Sequence, residues 1–259
     1  MNKVLILPIG STRETRPLTE IESPNIVVII PVLNEEQSIG LVLDAIPEKL
    51  VSQVVVVDNG STDGTARVAS EKGAVVVNEP QRGYGAACLR GIEQARLQQP
   101  DIIVFLDGDF SDHPEEMPAL IEPIVDRDYD MVIGSRMLGT REPGALPIQS
   151  LIGNFMVPRI IRILYGARYT DLGPFRAIRF DRLMDLDMQD RNFGWTVEMQ
   201  IKAAKWNYKT VDIPVSYRHR IGISKITGTF GGAVKAGFKI LWMTFSHVFR
   251  AGRRGAQSS

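Results

Sequence analysis

Asp107-Gly108-Asp109 follows the apolar run Ile102–Leu106, so two carboxylates one residue apart emerge at the end of a buried-type strand. No basic residue adjoins them in sequence, and like charges so close call for a counter-charge. A hard divalent ion with oxygen ligands, Mg²⁺ or Mn²⁺, suits the pair, because it keeps several waters and can bridge a substrate diphosphate. Asp58 ends a second apolar run within Val57-Asp58-Asn59-Gly60-Ser61-Thr62-Asp63-Gly64-Thr65. An acid there can accept hydrogen bonds from a base or a ribose, whereas Ser61 to Asp63 reads as the cap of the next helix. The chain has no GxxxxGK[ST], and no GxGxxG follows its first strand, so the common mononucleotide and dinucleotide fingerprints are absent. His219 has no second histidine at ligand spacing.

Positioning such acids requires a frame, and the sequence supplies one. Apolar, β-branched runs fall at Ile26–Leu33, Val54–Asp58, Ala74–Asn78, Asp101–Asp107 and Met131–Gly134. Helical patterns lie between them, at Glu36–Ile46, Asp63–Lys72, Gly83–Gln98 and Pro114–Val125. This alternation predicts an α/β fold: a doubly wound, mostly parallel sheet wrapped by helices. Such sheets bind ligands beyond the carboxyl ends of their strands, where this chain places Asn34-Glu35, Asp58-Asn59-Gly60, Asn78-Glu79 and Asp107-Gly108-Asp109. The alternation stops after Gly134, where a long helical stretch near Leu151–Leu164 leads into mixed segments expected to complete an acceptor side.

The 259 residues, 44% hydrophobic and 23% charged, exclude disorder as a description of the whole. A single cysteine, Cys88, excludes an internal disulfide and a CxxC metal site, and a cytoplasmic chain is expected. The opening residues do not read as a signal peptide, and no stretch reaches the roughly 18 to 20 apolar residues that span a bilayer. We expect an N-terminal extension over 1–24, one domain over 25–229 and a basic amphipathic tail over 230–259. The net charge is zero, yet from Met199 onward there are 11 Lys or Arg against the single acid Asp212. Within that tail Phe238, Leu241, Trp242, Phe245 and Phe249 share one helical face and Lys235, Lys239 and Arg250 another. The helix suits either packing on its own core or a peripheral contact with an anionic membrane surface.

Five ordered motifs, Ile30-Pro31-Val32-Leu33-Asn34-Glu35-Glu36, Val57 to Thr65, Arg82-Gly83-Tyr84-Gly85, Leu106 to Pro114 and Gly134-Ser135-Arg136, resemble the family-two glycosyltransferases of GT-A fold. Within that family the chain is most similar to the dolichyl- and polyprenyl-phosphate sugar transferases, from about Asn25 to Lys225. The resemblance implies that Pro31, Asn34 and Glu35 line the nucleotide pocket and that Asp58 holds the base. It also implies that Gly83 admits the nucleotide, and that Asp107 and Asp109 bind the metal and the donor diphosphate. Arg136 would grip an acceptor phosphate. Asp171 and Arg176 sit in a segment resembling D-x-x-S-G-[FY]-R-A, with Gly173-Pro174 in place of Ser-Gly. Ser150 stands where a basic residue is common, and Ser111 stands where Gln or Ser follows the second acid. Glu198 occupies the position of an acid near the acceptor; its plain alternative is a buried or capped helix acid. Arg218, Arg220 and Lys225 belong to a segment resembling R-x-x-G-x-S-K, suited to closing over a diphosphate.

The implied activity is metal-dependent, inverting transfer of a hexose from a nucleotide diphosphate sugar, of the GDP-mannose or UDP-glucose type, to a polyprenyl phosphate. One alternative is a soluble or glycan hydroxyl acceptor, with Asp171 or Glu198 taking the proton. Another is a non-catalytic nucleotide-sugar binding module. The expected partners are donor and acceptor, with no nucleic acid; a location on the cytoplasmic face of a membrane, a homo-oligomer and a membrane-protein partner stay open.

Overall fold

The computed structural model describes residues 24–222. The extension read over 1–24, apart from Pro24, the tail read over 230–259 and Lys225 lie outside the described residues. Seven strands form one sheet: β1 (Ile26–Val32), β2 (Gln53–Asp58), β3 (Val75–Asn78), β4 (Ile102–Phe105), β5 (Met131–Ser135), β6 (Arg176–Arg179) and β7 (Thr210–Pro214). Their order is β3-β2-β1-β4-β6-β5-β7. Only β6 runs against its neighbours β4 and β5; the remaining pairs are parallel.

Helices cover both faces. Val27 and Ile29 of β1 join Ile103 and Phe105 of β4 in a core closed by α3 (Tyr84–Ala95), α5 (Ile148–Tyr165), α6 (Phe180–Asp185) and α7 (Trp195–Lys205). Ile26, Val28 and Ile30 point the other way, into a core closed by α1 (Ile39–Ala45), α2 (Thr65–Glu71) and α4 (Met117–Arg127). Burial on both faces explains why the strands are written as continuous apolar runs rather than as an alternating pattern. α3 lies close on the sheet because Gly91 has no side chain: a Cβ there would stand 2.4 Å from Ile29 Cγ2. Across the same core Phe105 meets Trp195 edge to face, ring centroids 6.0 Å apart.

The first two helices begin later than their periodicity predicts, at Ile39 and Thr65 rather than Glu36 and Asp63. The residues expected in their opening turns stitch the two loops together instead. The Glu36 amide donates to Asp63 Oδ2 at 3.3 Å, and Glu36 Oε2 accepts from the Gly64 amide at 3.1 Å. Asn34, at φ +53°, accepts from the Thr62 amide at 2.7 Å. Asp63 takes the Thr65 amide at 3.0 Å, closing the turn that leads into α2.

Candidate active site

The carboxyl ends of β1 and β4, the loop after β2 and the start of α3 surround a cavity of about 260 Å³. Pro31, Glu35, Asn59, Arg82, Gly83, Tyr84, Asp107 and Asp109 line it, closed by Asn192, Phe193 and Arg220 from later in the chain. Asn59 is its scaffold: the side-chain amide donates to Glu79 O and Gln81 O at 2.9 and 2.8 Å, while its oxygen accepts from the Gly83 amide at 2.8 Å.

Asp107 stands on the cavity floor with Oδ1 screened from solvent and without a hydrogen-bond partner. Burial, then the neighbouring Asp109, pushes its carboxyl up to about 7 against the pull of Arg220 and Arg136. Beneath it, burial and then the same Asp107 charge raise the Tyr84 phenol and the Cys88 thiol well above their ordinary values. Asp109 is buried; its Oδ1 accepts from the Ser111 amide and hydroxyl at 2.9 and 2.5 Å, and its Oδ2 pairs with the Arg220 guanidinium. The acids therefore do have a basic partner, 111 residues along the chain, which local sequence could not reveal. The Ile221 amide donates to Asp109 O at 2.9 Å and fixes the same segment over the site. Arg218 lies beside it, its guanidinium 3.7 Å from the Phe110 ring centroid and donating to Asp112 O at 3.0 Å. Both Asp112 carboxylate oxygens are buried without a partner, and burial, then Asp107, drives that group well above the usual range.

Other predicted residues are engaged elsewhere. Arg136 and Asp171 hold each other: Asp171 accepts from Arg136 Nε at 2.9 Å, from a terminal guanidinium nitrogen at 2.6 Å and from the Arg136 amide at 2.7 Å. Burial alone would raise Asp171, but Arg136 outweighs it and holds the carboxyl below its ordinary value. The arginine expected at an acceptor phosphate and the acid expected as a base thus neutralise one another, with Arg136 also 5.0 Å over the Tyr217 ring. Gly173 has a local reason in place of serine: a Cβ there would stand 3.1 Å from Arg136 Nε. Arg176 is fully buried and donates to Gly173 O and Thr196 O, joining β6 to the start of α7 rather than facing a phosphate. Glu198 is buried as well; its carboxylate accepts from the Gln189 and Asp190 amides at 3.0 and 2.7 Å and pairs with Lys202 at 2.8 Å. Its geometry is that of a buried structural acid, holding the loop that carries Asn192 and Phe193.

Gly83 lines the cavity and also makes room for the chain's own loop. At φ +143°, its Cβ would fall 2.0 Å from Arg191 O. That loop also takes the first free amides of α3, with Gly85 N donating to Asn192 O at 3.1 Å and Ala86 N to Arg191 O at 2.9 Å. Pro31 and Glu35 line the cavity as expected from the sequence, and Glu35 Oε2 accepts from Ser38 Oγ at 3.0 Å. Asn34 and Asp58 are not among the lining residues. Asn34 bridges to the β2 loop, and Asp58 Oδ1 accepts from the Ser61 amide at 2.8 Å. Asn59, Arg82 and Tyr84 each lie in one of the motifs, but nothing in the sequence singles them out, and nothing in it marks Asn192 or Phe193.

The donor set suits a hard divalent cation. Asp107 and Asp109 both line the cavity and offer only oxygen, Asp107 Oδ1 is buried without a hydrogen-bond partner, and no cluster of three metal-ligating side chains occurs among the described residues. The protein would supply the acids, leaving the other positions to water and substrate oxygens.

Fold and site together define a GT-A glycosyltransferase, and comparison with known proteins agrees. The glycosyl transferase family 2 model matches residues 27–187, and the chain belongs to that family. The dolichyl-phosphate hexose transferase of Haloferax volcanii is 33% identical over 222 residues, covering 83% of this chain and 92% of the relative. The undecaprenyl-phosphate mannosyltransferase of Micrococcus luteus is 32% identical over 222 residues, covering 80% and 89%. Among solved structures, the glucosyl-3-phosphoglycerate synthase of Mycobacterium tuberculosis, in complex with Mn²⁺, UDP and glucosyl-3-phosphoglycerate, superposes with a TM-score of 0.69. It is 21% identical and covers 91% of this chain and 86% of that one.

Proposed function

We propose that this family 2 glycosyltransferase moves a hexose from a nucleotide diphosphate sugar to a polyprenyl phosphate, inverting the anomeric centre. The observation that carries the reading is the cavity floor: Asp107 and Asp109 side by side, with Arg220 lining the same space. Asp107 and Asp109 would hold Mg²⁺ or Mn²⁺, and the bound ion would neutralise negative charge developing on the departing diphosphate. Arg220 supplies a fixed cation on the same side, and Tyr84 and Phe193 give the cavity apolar walls. An oxygen of the acceptor phosphate attacks the anomeric carbon as the bond from that carbon to the diphosphate oxygen breaks, and the nucleoside diphosphate leaves with the electron pair.

A phosphate acceptor arrives already ionised, so the site needs no strong base and relies on positioning and electrostatics. That matches the chain: Asp171 and Glu198, the two acids the sequence offers as bases, are both buried and committed to other partners. The lipid-phosphate names of the two relatives support the same choice. The test is turnover of UDP- and GDP-sugars with Mn²⁺ and either a short prenyl phosphate or sugar and phosphoglycerate acceptors. The reading expects prenyl-phosphate-dependent release of nucleoside diphosphate that Asp109→Asn abolishes. Transfer to the soluble acceptors alone would overturn it.

A further inference from the structure

The two oxygens of Asp109 are committed differently. Oδ1 accepts from both the amide and the hydroxyl of Ser111, at 2.9 and 2.5 Å, whereas Oδ2 accepts from one terminal nitrogen of Arg220. Oδ2 is therefore the atom that Asp109 can offer to a divalent ion, and a guanidinium sits on it. An ion added there would bring two cations to one buried oxygen, so the ion and Arg220 compete for it.

Two arginine–aspartate pairs in this molecule show which is built to part. Arg136 gives Asp171 its Nε, a terminal nitrogen and its amide, and both side chains are buried. Arg220 gives Asp109 a single terminal nitrogen, its side chain is 35% exposed, and its Nε is buried with no acceptor among the described residues. A buried donor left without an acceptor weakens this pairing, and a ligand bearing several anionic oxygens would satisfy it. The backbone of the segment is pinned separately, by the Ile221 amide on Asp109 O at 2.9 Å and the Arg218 amide on Ser111 O at 3.0 Å. The guanidinium can thus change partner while the segment stays over the cavity, which Arg220 already lines beside Asp107.

We propose that Arg220 guards the metal seat: it holds Asp109 Oδ2 until a diphosphate draws it away, so that ion and nucleotide enter together rather than the ion alone. This rests on the proposed function, in which Asp107 and Asp109 hold the ion and the donor is a nucleotide diphosphate sugar. Apparent affinity for the ion alone is lowered in proportion to the chains in which Arg220 has let go, and the diphosphate restores it by favouring those chains. The coupling is reciprocal: the factor by which nucleotide tightens the ion is the factor by which the ion tightens nucleotide.

Mn²⁺ titrations of the full chain, followed by the electron paramagnetic resonance of the free ion with and without UDP or GDP, test this without turnover. Arg220→Gln should bind Mn²⁺ alone at least about tenfold more tightly than the unaltered chain, and the tightening of Mn²⁺ by nucleotide should shrink at least about tenfold. Arg220→Lys, which returns the charge, should recover most of the suppression. Thermal melts check the fold: Arg220→Gln should lower Tm in chelator, because Asp109 loses its counter-charge, and Mn²⁺ should raise Tm more in this variant than in the unaltered chain. If Arg220→Gln gains no affinity for Mn²⁺ while Mn²⁺ still tightens nucleotide binding to the unaltered chain, the guard is refuted and the metal seat stands. If Mn²⁺ leaves nucleotide binding to the unaltered chain unchanged, the seat itself is refuted and the guard falls with it.

Discussion

Replacing Asp107 by Asn should make the metal-free protein more stable and the enzyme inactive. The Asp107 carboxyl is raised to about 7 by burial and then by Asp109, whereas an unfolded aspartate titrates near 3.9. The folded state therefore keeps a proton that the unfolded chain has lost, and stability falls as pH rises from about 4 to 7, with the loss complete above that window. At 1.36 kcal/mol per pKa unit, ionising this group in the fold costs about 4 kcal/mol at pH 8. Asp107 is only partly buried as a residue because the cavity admits water to it, so the expected gain for Asp107→Asn lies between about 1 and 4 kcal/mol. Urea unfolding in the presence of a chelator, at pH 4 and pH 8, measures it: the two proteins should match at pH 4 and diverge at pH 8. Sugar transfer should fall at least about a hundredfold, since an amide brings no charge to the ion or the leaving group. Equal stability at pH 8, or a less stable variant, would refute the claim that this floor stores electrostatic strain for ligand binding.

The Asp171–Arg136 pair should respond in the opposite sense. Asp171→Asn leaves a buried guanidinium uncompensated and should cost about 3 to 5 kcal/mol in urea unfolding at pH 7. Because this carboxyl is held below its ordinary value, its contribution is present at neutral pH and is lost only as pH falls through the folded value, so the difference from the unaltered protein should shrink in strong acid. Gly83→Ala should lose about 1 to 3 kcal/mol from the backbone conformation alone, with further loss from overlap with Arg191 O, read as a lowered Tm. Glu198→Gln should raise the donor KM more than it lowers kcat, because the carboxylate holds the loop bearing Asn192 and Phe193 rather than touching substrate.

The parts of this molecule that could be read from sequence are those whose physics is local. Apolar runs buried on both faces announce β1, β2 and β4, and the acids at their ends follow from the rule that such sheets present their carboxyl ends to ligands. The antiparallel β6 was not readable: Arg176-Ala177-Ile178-Arg179 carries arginines at both ends, and their burial depends on carbonyls and carboxylates from distant elements. The site residues divide in the same way. Asp107 and Asp109 declare themselves by spacing, whereas the partnerships of Arg220 with Asp109 and Arg136 with Asp171 cross 111 and 35 residues. Type and motif pointed to charged residues at these positions, but only the packing tells which of them neutralise each other. Gly83 is the instructive case: a positive φ and a close approach were needed there, and the approaching group is the chain's own loop.

The central claim is that Asp107 and Asp109 form a divalent-ion seat for a nucleoside diphosphate. Calorimetric titration of UDP and of GDP into the full chain, with and without Mn²⁺, tests it most directly. The account predicts that Mn²⁺ tightens binding of the preferred nucleotide at least about tenfold and that Asp109→Asn removes this effect while the fold remains intact. Binding that ignores Mn²⁺, or a variant that keeps the full metal effect, would contradict it.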